Sequence, residues 1–185
     1  MIKRFFDLVL SSIGLVLVSP LFIVIAICIR LDDPGPIFYR AVRTGQNGKP
    51  FIMYKFRTMV ENADQIGGGS TGKNDVRITR AGLFLRRYKL DELPQLLNVV
   101  KGDMSLVGPR PELPMYTSLY EGDELLILTV KPGITDYASL EFRQLDEVLG
   151  DEDPDSVYEE RVMPIKNALR VKYAKEHTLW VDAKI

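Results

Sequence analysis

Hydrophobic and polar positions fall into two unlike regimes along the chain. From Leu8 to Ile29 it runs 22 residues without a charge, most of them apolar, whereas beyond Arg30 apolar residues come in short groups broken by charges, prolines and glycines. At about 1.5 Å per residue the first stretch, if helical, extends about 33 Å, close to the ~30 Å hydrocarbon thickness of a bilayer. Ser19-Pro20 interrupts it: proline lacks an N–H donor and clashes with the preceding turn, while a serine hydroxyl can satisfy a carbonyl left without a partner. The pattern therefore predicts a membrane-entering helix, for which turning back at Ser19-Pro20 competes with a simple span. A buried or processed helix is the other alternative. Lys3, Arg4 and Asp7 on one flank and Arg30, Asp32 and Asp33 on the other are too balanced to orient it. The run is longer than the apolar core of a signal peptide and lacks a clean small-residue cleavage site before Arg30.

Asp33-Pro34-Gly35-Pro36 ends this helix. A short strand is predicted at residues 37–39, a turn over Gly45–Pro50 and a second strand within residues 51–59. Residues 81–100 read as a basic entrance followed by an apolar helical stretch, with Pro94 in the opening turn of a second helix that starts near Asp91. Leu125–Val130 is predicted as a strand and residues 159–176 as a helix. Without an internal repeat or a convincing linker, the expected organisation is a membrane helix over residues 1–32 and one compact body over 33–185. The fold class is α/β, a mixed body with an N-terminal re-entrant helix and interfacial amphipathic helices.

With 185 residues, 46% hydrophobic and 26% charged, the chain is not disordered as a whole, and the single cysteine, Cys28, excludes an internal disulfide framework. The net charge of −1 hides two unequal parts: 16 Lys/Arg against 9 Asp/Glu over residues 1–110, and 8 against 16 over 111–185. The basic part suits phosphate-bearing ligands or anionic headgroups. There is no continuous basic arm or finger pattern to support a nucleic-acid partner. Residues 121–160 hold 13 acids against Lys131 and Arg143 and read as a solvated face. GGGSTGKN at residues 67–74 approaches a phosphate-binding loop, but Asn74 stands where Ser or Thr would help hold magnesium and no buried strand precedes it; it reads as a flexible connector.

Candidate chemistry concentrates between these regions. Lys55 and Arg57 close the second predicted strand, where they can sit beside an anion or be merely solvated. Asp91-Glu92 lies between Arg86, Arg87 and Lys89 on one side and Arg110 on the other. Neighbouring carboxylates of this kind serve as nucleophile and partner, as a magnesium site, or as an ordinary helix start favoured by backbone donors. A noncatalytic membrane-anchored module that recruits a protein through its acidic part stays open at this point. A phosphoryl-transfer reading has Asp91 attack an activated phosphorus, with Glu92 positioning or moving a proton.

The ordered set SP at 19–20, KFRTM at 55–59, LRRYKLDELPQLLNVVKGDMSLVGPRP at 85–111 and KPGIT at 131–135 resembles small bacterial monotopic phosphoglycosyl transferases, the polyprenyl-phosphate sugar-1-phosphate transferase family. The resemblance implies an enzyme of the EC 2.7.8 type that moves a sugar phosphate from a UDP-sugar to a polyprenyl phosphate, undecaprenyl phosphate being the expected one, through a covalent aspartyl intermediate with release of UMP. It implies Asp91 as covalent nucleophile and metal-contacting carboxylate, Glu92 as its catalytic neighbour, Arg110-Pro111 with Lys55, Arg57 and Arg86 in substrate binding, and Ser19-Pro20 as the membrane turn. Mg2+ is the implied cofactor. The implied partners are a nucleotide sugar, a polyprenyl phosphate and the bacterial cytoplasmic membrane, with both flanks of the helix on its cytosolic face and the product feeding glycan biosynthesis; a homo-oligomer stays open. Two positions depart from the family pattern: Asp136 replaces the glycine common after KPGIT, and Arg170 stands where many members carry an acid.

Overall fold

The computed structural model describes residues 2–66, 75–142 and 154–185. The expected connector at 67–74 and part of the acidic stretch lie outside the described residues. Helix α1 (Ile2–Asp32) continues as one helix through Pro20. The reason is local: Pro20 cannot donate to Val16 O, and Ser19 Oγ donates to that carbonyl instead at 2.8 Å. One side of α1 faces the body, with Asp7, Ser11, Ile25 and Ile29 buried, while Val16 and Leu17 are 73% and 74% exposed. This helix is long and apolar enough to enter a membrane.

Both ends of α1 are tied to the same body. Near its start, Arg4 donates to the carbonyls of Val99 and Val100, and Asp7 accepts from Ser105 Oγ at 2.8 Å and Leu106 N at 3.1 Å. At its end, Ile25 and Ile29 pack with Phe56 and Leu85, and Asp32 accepts from Ala81 N at 2.8 Å. Arg57, nearly buried, donates to Asp33 O and pairs with the Asp33 carboxylate at 3.1 Å, locking the Asp33-Pro34 turn onto the body.

Strands β1 (Phe38–Thr44) and β2 (Pro50–Phe56) form an antiparallel hairpin with Phe38 opposite Phe56 and Thr44 opposite Pro50. Its turn uses Asn47 and Gly48 at positive φ, a conformation to which these residue types are suited. Behind it comes α2 (Ala63–Ile66), then α3 (Arg80–Arg87), a 3-10 turn (Leu90–Glu92) and α4 (Gln95–Lys101). Asn98 fastens α4 to the hairpin: its Oδ1 accepts from Tyr54 N at 3.0 Å and its Nδ2 donates to Ile52 O at 2.7 Å. Ala41, Met53, Val99 and Met104 fill the space between them.

The second sheet is small and parallel, β3 (Ser105–Val107) beside β4 (Gly133–Thr135), with Ser105 opposite Gly133 and Val107 opposite Thr135. Between the two strands run α5 (Pro114–Thr117) and a 3-10 segment (Gly122–Thr129); α6 (Tyr137–Glu141) follows β4. The expected strand at Leu125–Val130 is thus a correction: those residues are mostly 3-10 helix. Only Ile127 of the segment is buried, and the segment packs against the late helix rather than pairing with another strand, so no ladder satisfies an extended backbone there. The late helix begins as α7 (Pro154–Val157), passes through a π turn (Tyr158–Val162) and continues as α8 (Met163–Glu176), before α9 (Leu179–Lys184). The mixed α/β class holds, and among the described residues the strands form two two-stranded sheets.

Candidate active site

Two glycine-containing loops meet at the foot of β3 and β4. A Cβ on Gly133 would lie 2.1 Å from Gly108 N, and one on Gly108 would lie 2.4 Å from Lys131 O. Gly108 N donates to Thr135 O, and Gly133 N to Pro109 O, each at 2.9 Å. The GPRP and KPGIT segments are therefore paired by backbone contact that only glycine permits. That contact fixes Arg110, whose backbone N donates to Asp136 Oδ2 at 3.1 Å and whose side chain donates to Ile134 O at 3.2 Å and to Glu92.

The carboxylates arrive from the other side. Lys89 takes a left-handed conformation, φ 55, between α3 and the turn that carries Asp91 and Glu92. Gly82 lets α3 press on the Thr58 backbone, where a Cβ would stand 2.0 Å from Thr58 O. This places Arg86, whose Nε donates to Thr58 Oγ1 at 2.9 Å. Lys55 reaches across from β2 to Glu92 at 3.2 Å.

Asp91 and Glu92 are adjacent but held in opposite ways. Burial would raise the Glu92 carboxyl, yet the attraction of Arg110 and Lys55 outweighs it and holds the group at about 2. Burial raises the Asp91 carboxyl and the neighbouring Glu92 charge adds to this, against the pull of Lys55. The backbone donors expected at a helix start do not reach it: Asp91 Oδ1 is buried without a hydrogen-bond partner. The cations differ too. Burial outweighs Glu92 at Lys55 and lowers it; at Arg110 burial is again the largest single influence, but Glu92, Asp136 and Asp91 together outweigh it and raise the group. Glu92 is thereby an ionised strut between two cations, suited to positioning, and Asp91 is the carboxylate left available.

These residues open into a cleft of about 1440 Å³ whose lining includes Lys55, Arg57, Arg86, Asp91, Glu92, Arg110 and Pro111. The fold brings together every expected substrate-side residue. Arg57 is largely committed to the α1 junction, and Ser19-Pro20 lies out on α1. The cleft also includes Arg43, Glu112, Lys166 and Arg170, which sequence reasoning did not assign to it. Arg170 and Asp136, the two departures from the family pattern, face each other with Nε and Oδ2 3.9 Å apart, and Arg170 also pairs with Glu112 at 2.7 Å. Their joint departure was the available signal.

Among the described residues no group of three or more His, Cys, Asp or Glu could hold a metal. A closed protein cage is therefore not what these side chains build. Magnesium commonly uses one or two carboxylates together with water and substrate phosphate. The unpartnered Asp91 oxygen fits that smaller role.

The bacterial sugar transferase family matches residues 1–185. The chain belongs to this family. It is 40% identical over 190 residues to the UDP-glucose:undecaprenyl-phosphate glucose-1-phosphate transferase of Escherichia coli (strain K12), covering 100% of this chain and 38% of that protein. It is 39% identical to the UDP-N-acetylgalactosamine-undecaprenyl-phosphate N-acetylgalactosaminephosphotransferase of Aeromonas hydrophila, covering 75% of this chain and 34% of that protein. It is also 41% identical to the exopolysaccharide production protein ExoY of Rhizobium meliloti (strain 1021), covering 73% and 66% respectively. The chain thus spans well under half the length of the first two relatives.

Proposed function

We propose that this chain transfers a sugar-1-phosphate from a UDP-sugar to a polyprenyl phosphate, undecaprenyl phosphate by analogy with the relatives, at the cytosolic face of the bacterial cytoplasmic membrane. The carrying observation is the buried Asp91 oxygen without a partner, set beside a Glu92 held ionised by two cations in a basic cleft. In the first step an Asp91 oxygen attacks the phosphorus that bears the sugar. The bond from that phosphorus to the UMP oxygen breaks, and its electron pair leaves with UMP. In the second step an oxygen of the polyprenyl phosphate attacks the same phosphorus, the aspartyl ester bond breaks and the Asp91 carboxylate is restored.

Lys55 and Arg110 hold Glu92, which keeps its charge beside Asp91 and limits the orientations open to the nucleophile. Arg86 supplies positive charge on the Asp91 side, with Arg110-Pro111 along the opposite wall. Bound Mg2+ would neutralise phosphate charge, with Asp91 as its protein carboxylate. The reading divides the chain into residues 1–32, which insert into the bilayer, and a catalytic body over 33–185. Attachment of both ends of α1 to one polar body supports a re-entrant course turning near Ser19-Pro20, because a body on one side of the bilayer keeps both ends there. Exposed Leu83, Phe84 and Tyr88 on and just beyond α3 suit an interfacial position for that helix.

Intact-mass measurement after incubation with a panel of UDP-sugars tests the reaction. A phosphosugar adduct that disappears in Asp91→Asn supports it. Competent protein that turns over donor with no adduct, or an Asp91→Asn variant that cleaves donor at the normal rate, overturns the covalent step.

A further inference from the structure

The end of the cleft beyond Arg110 contains a cation without a role in the steps above. Lys166, on α8, is 7% exposed, and its ammonium lies 4.9 Å from the Tyr158 ring centre and 5.6 Å from that of Phe142. No ion pair or hydrogen bond holds that ammonium among the described residues. Its principal opposite charge, Glu112, is already engaged by Arg170 and by the Tyr158 hydroxyl. Arg43, on β1, feels the same Glu112 and lines the same cleft. Two recessed cations thus share one carboxylate that is spent on other partners.

A buried ammonium is costly without a counter-charge, and aromatic faces offset only part of that cost. An anion entering the cleft would supply the rest. The position selects which anion. A phosphorus under attack must lie at Asp91, where Arg86 and Lys55 act, while Arg110 spans from Glu92 toward Asp136 and the Arg170 side of the cleft. A second negative group on the same donor, directed away from Asp91, runs along Arg110 toward Lys166. Tyr116 and Tyr158, with ring centres 5.3 Å apart, line that end of the cleft.

We infer that Lys166, with Arg43, forms a second anion subsite that holds the phosphate of the nucleoside monophosphate as it becomes the leaving group. This rests on the transfer reaction proposed above and adds the residues that grip its nucleotide side.

The test is equilibrium binding of UMP and of uridine to the full chain in neutral detergent, independent of turnover. Lys166→Met should weaken UMP about ten- to hundredfold, the range for losing a charge-assisted contact, and leave uridine unchanged. Lys166→Arg should recover most of the UMP affinity. Arg43→Met should weaken UMP in the same direction, giving a second variant should Lys166→Met fail to fold. Equal UMP affinity in wild type, Lys166→Met and Arg43→Met, with wild-type transfer intact, overturns the subsite and leaves the reaction standing. So does a Lys166→Met variant that keeps UMP affinity but loses a preference for a UDP-uronate over a neutral UDP-hexose, since the anion would then belong to the sugar. Wild type that neither binds UMP nor turns over any UDP-sugar overturns both.

Discussion

Replacing Glu92 by Gln keeps the side-chain shape and removes the charge that Lys55 and Arg110 share. The Glu92 carboxyl moves from an ordinary 4.5 to about 2, with the side chain only 19% exposed. At ~1.4 kcal/mol per pH unit this corresponds to about 3 kcal/mol of stability at neutral pH. The sign follows from the depressed value: the contribution is complete above the unfolded-state pKa and is lost as pH falls through the folded one. Glu92→Gln should therefore be about 3 kcal/mol less stable than wild type at pH 7. The gap should shrink to roughly half by pH 3 and approach zero below pH 2. The size also matches the ~3–5 kcal/mol cost of breaking a buried ion pair from one side. Urea unfolding in neutral detergent, followed by circular dichroism at several pH values, measures it. A gap below about 1 kcal/mol at pH 7, or one that does not change with pH, would refute the picture of Glu92 as an ionised strut.

Gly133→Ala forces a methyl group to within 2.1 Å of Gly108 N, so the GPRP and KPGIT loops must part. The expected result is a loss of stability of about 2 kcal/mol or more and a fall in donor cleavage together, read by urea unfolding and UMP release. Asp136 and Arg170 should be coupled through their shared network: Asp136→Ala and Arg170→Met should each destabilise, and the double variant should lose about 1 kcal/mol less than the sum of the two. Strict additivity in that cycle would separate the two departures from the family pattern.

Much of this site was legible because its chemistry lies in short, ordered segments. Asp91-Glu92, Arg86 and Arg110 are recognisable one motif at a time, and Ser19-Pro20 indicated the carbonyl that Ser19 satisfies. The connections across the fold were not legible. Nothing near Arg57 in sequence announces that Asp33 will take it, and Lys166 joins the cleft only because α8 packs on the 3-10 segment and α6 and reaches Glu112 through Arg170. Leu125–Val130 has the composition of a strand, but extended structure needs a neighbouring edge for its backbone, and the fold offers that stretch a helix. The direct ion pairs of Lys55 and Arg110 with Glu92 likewise decided the unequal states of Asp91 and Glu92, which share one sequence environment.

The central claim is that Asp91 carries the sugar phosphate between donor and acceptor. Single-turnover intact-mass spectrometry with a UDP-sugar and no polyprenyl phosphate addresses it most directly. The account predicts one equivalent of UMP and a phosphosugar adduct mapped to Asp91, which vanishes when polyprenyl phosphate is added. UMP released only when the acceptor is present, with Asp91 unmodified throughout, would contradict it.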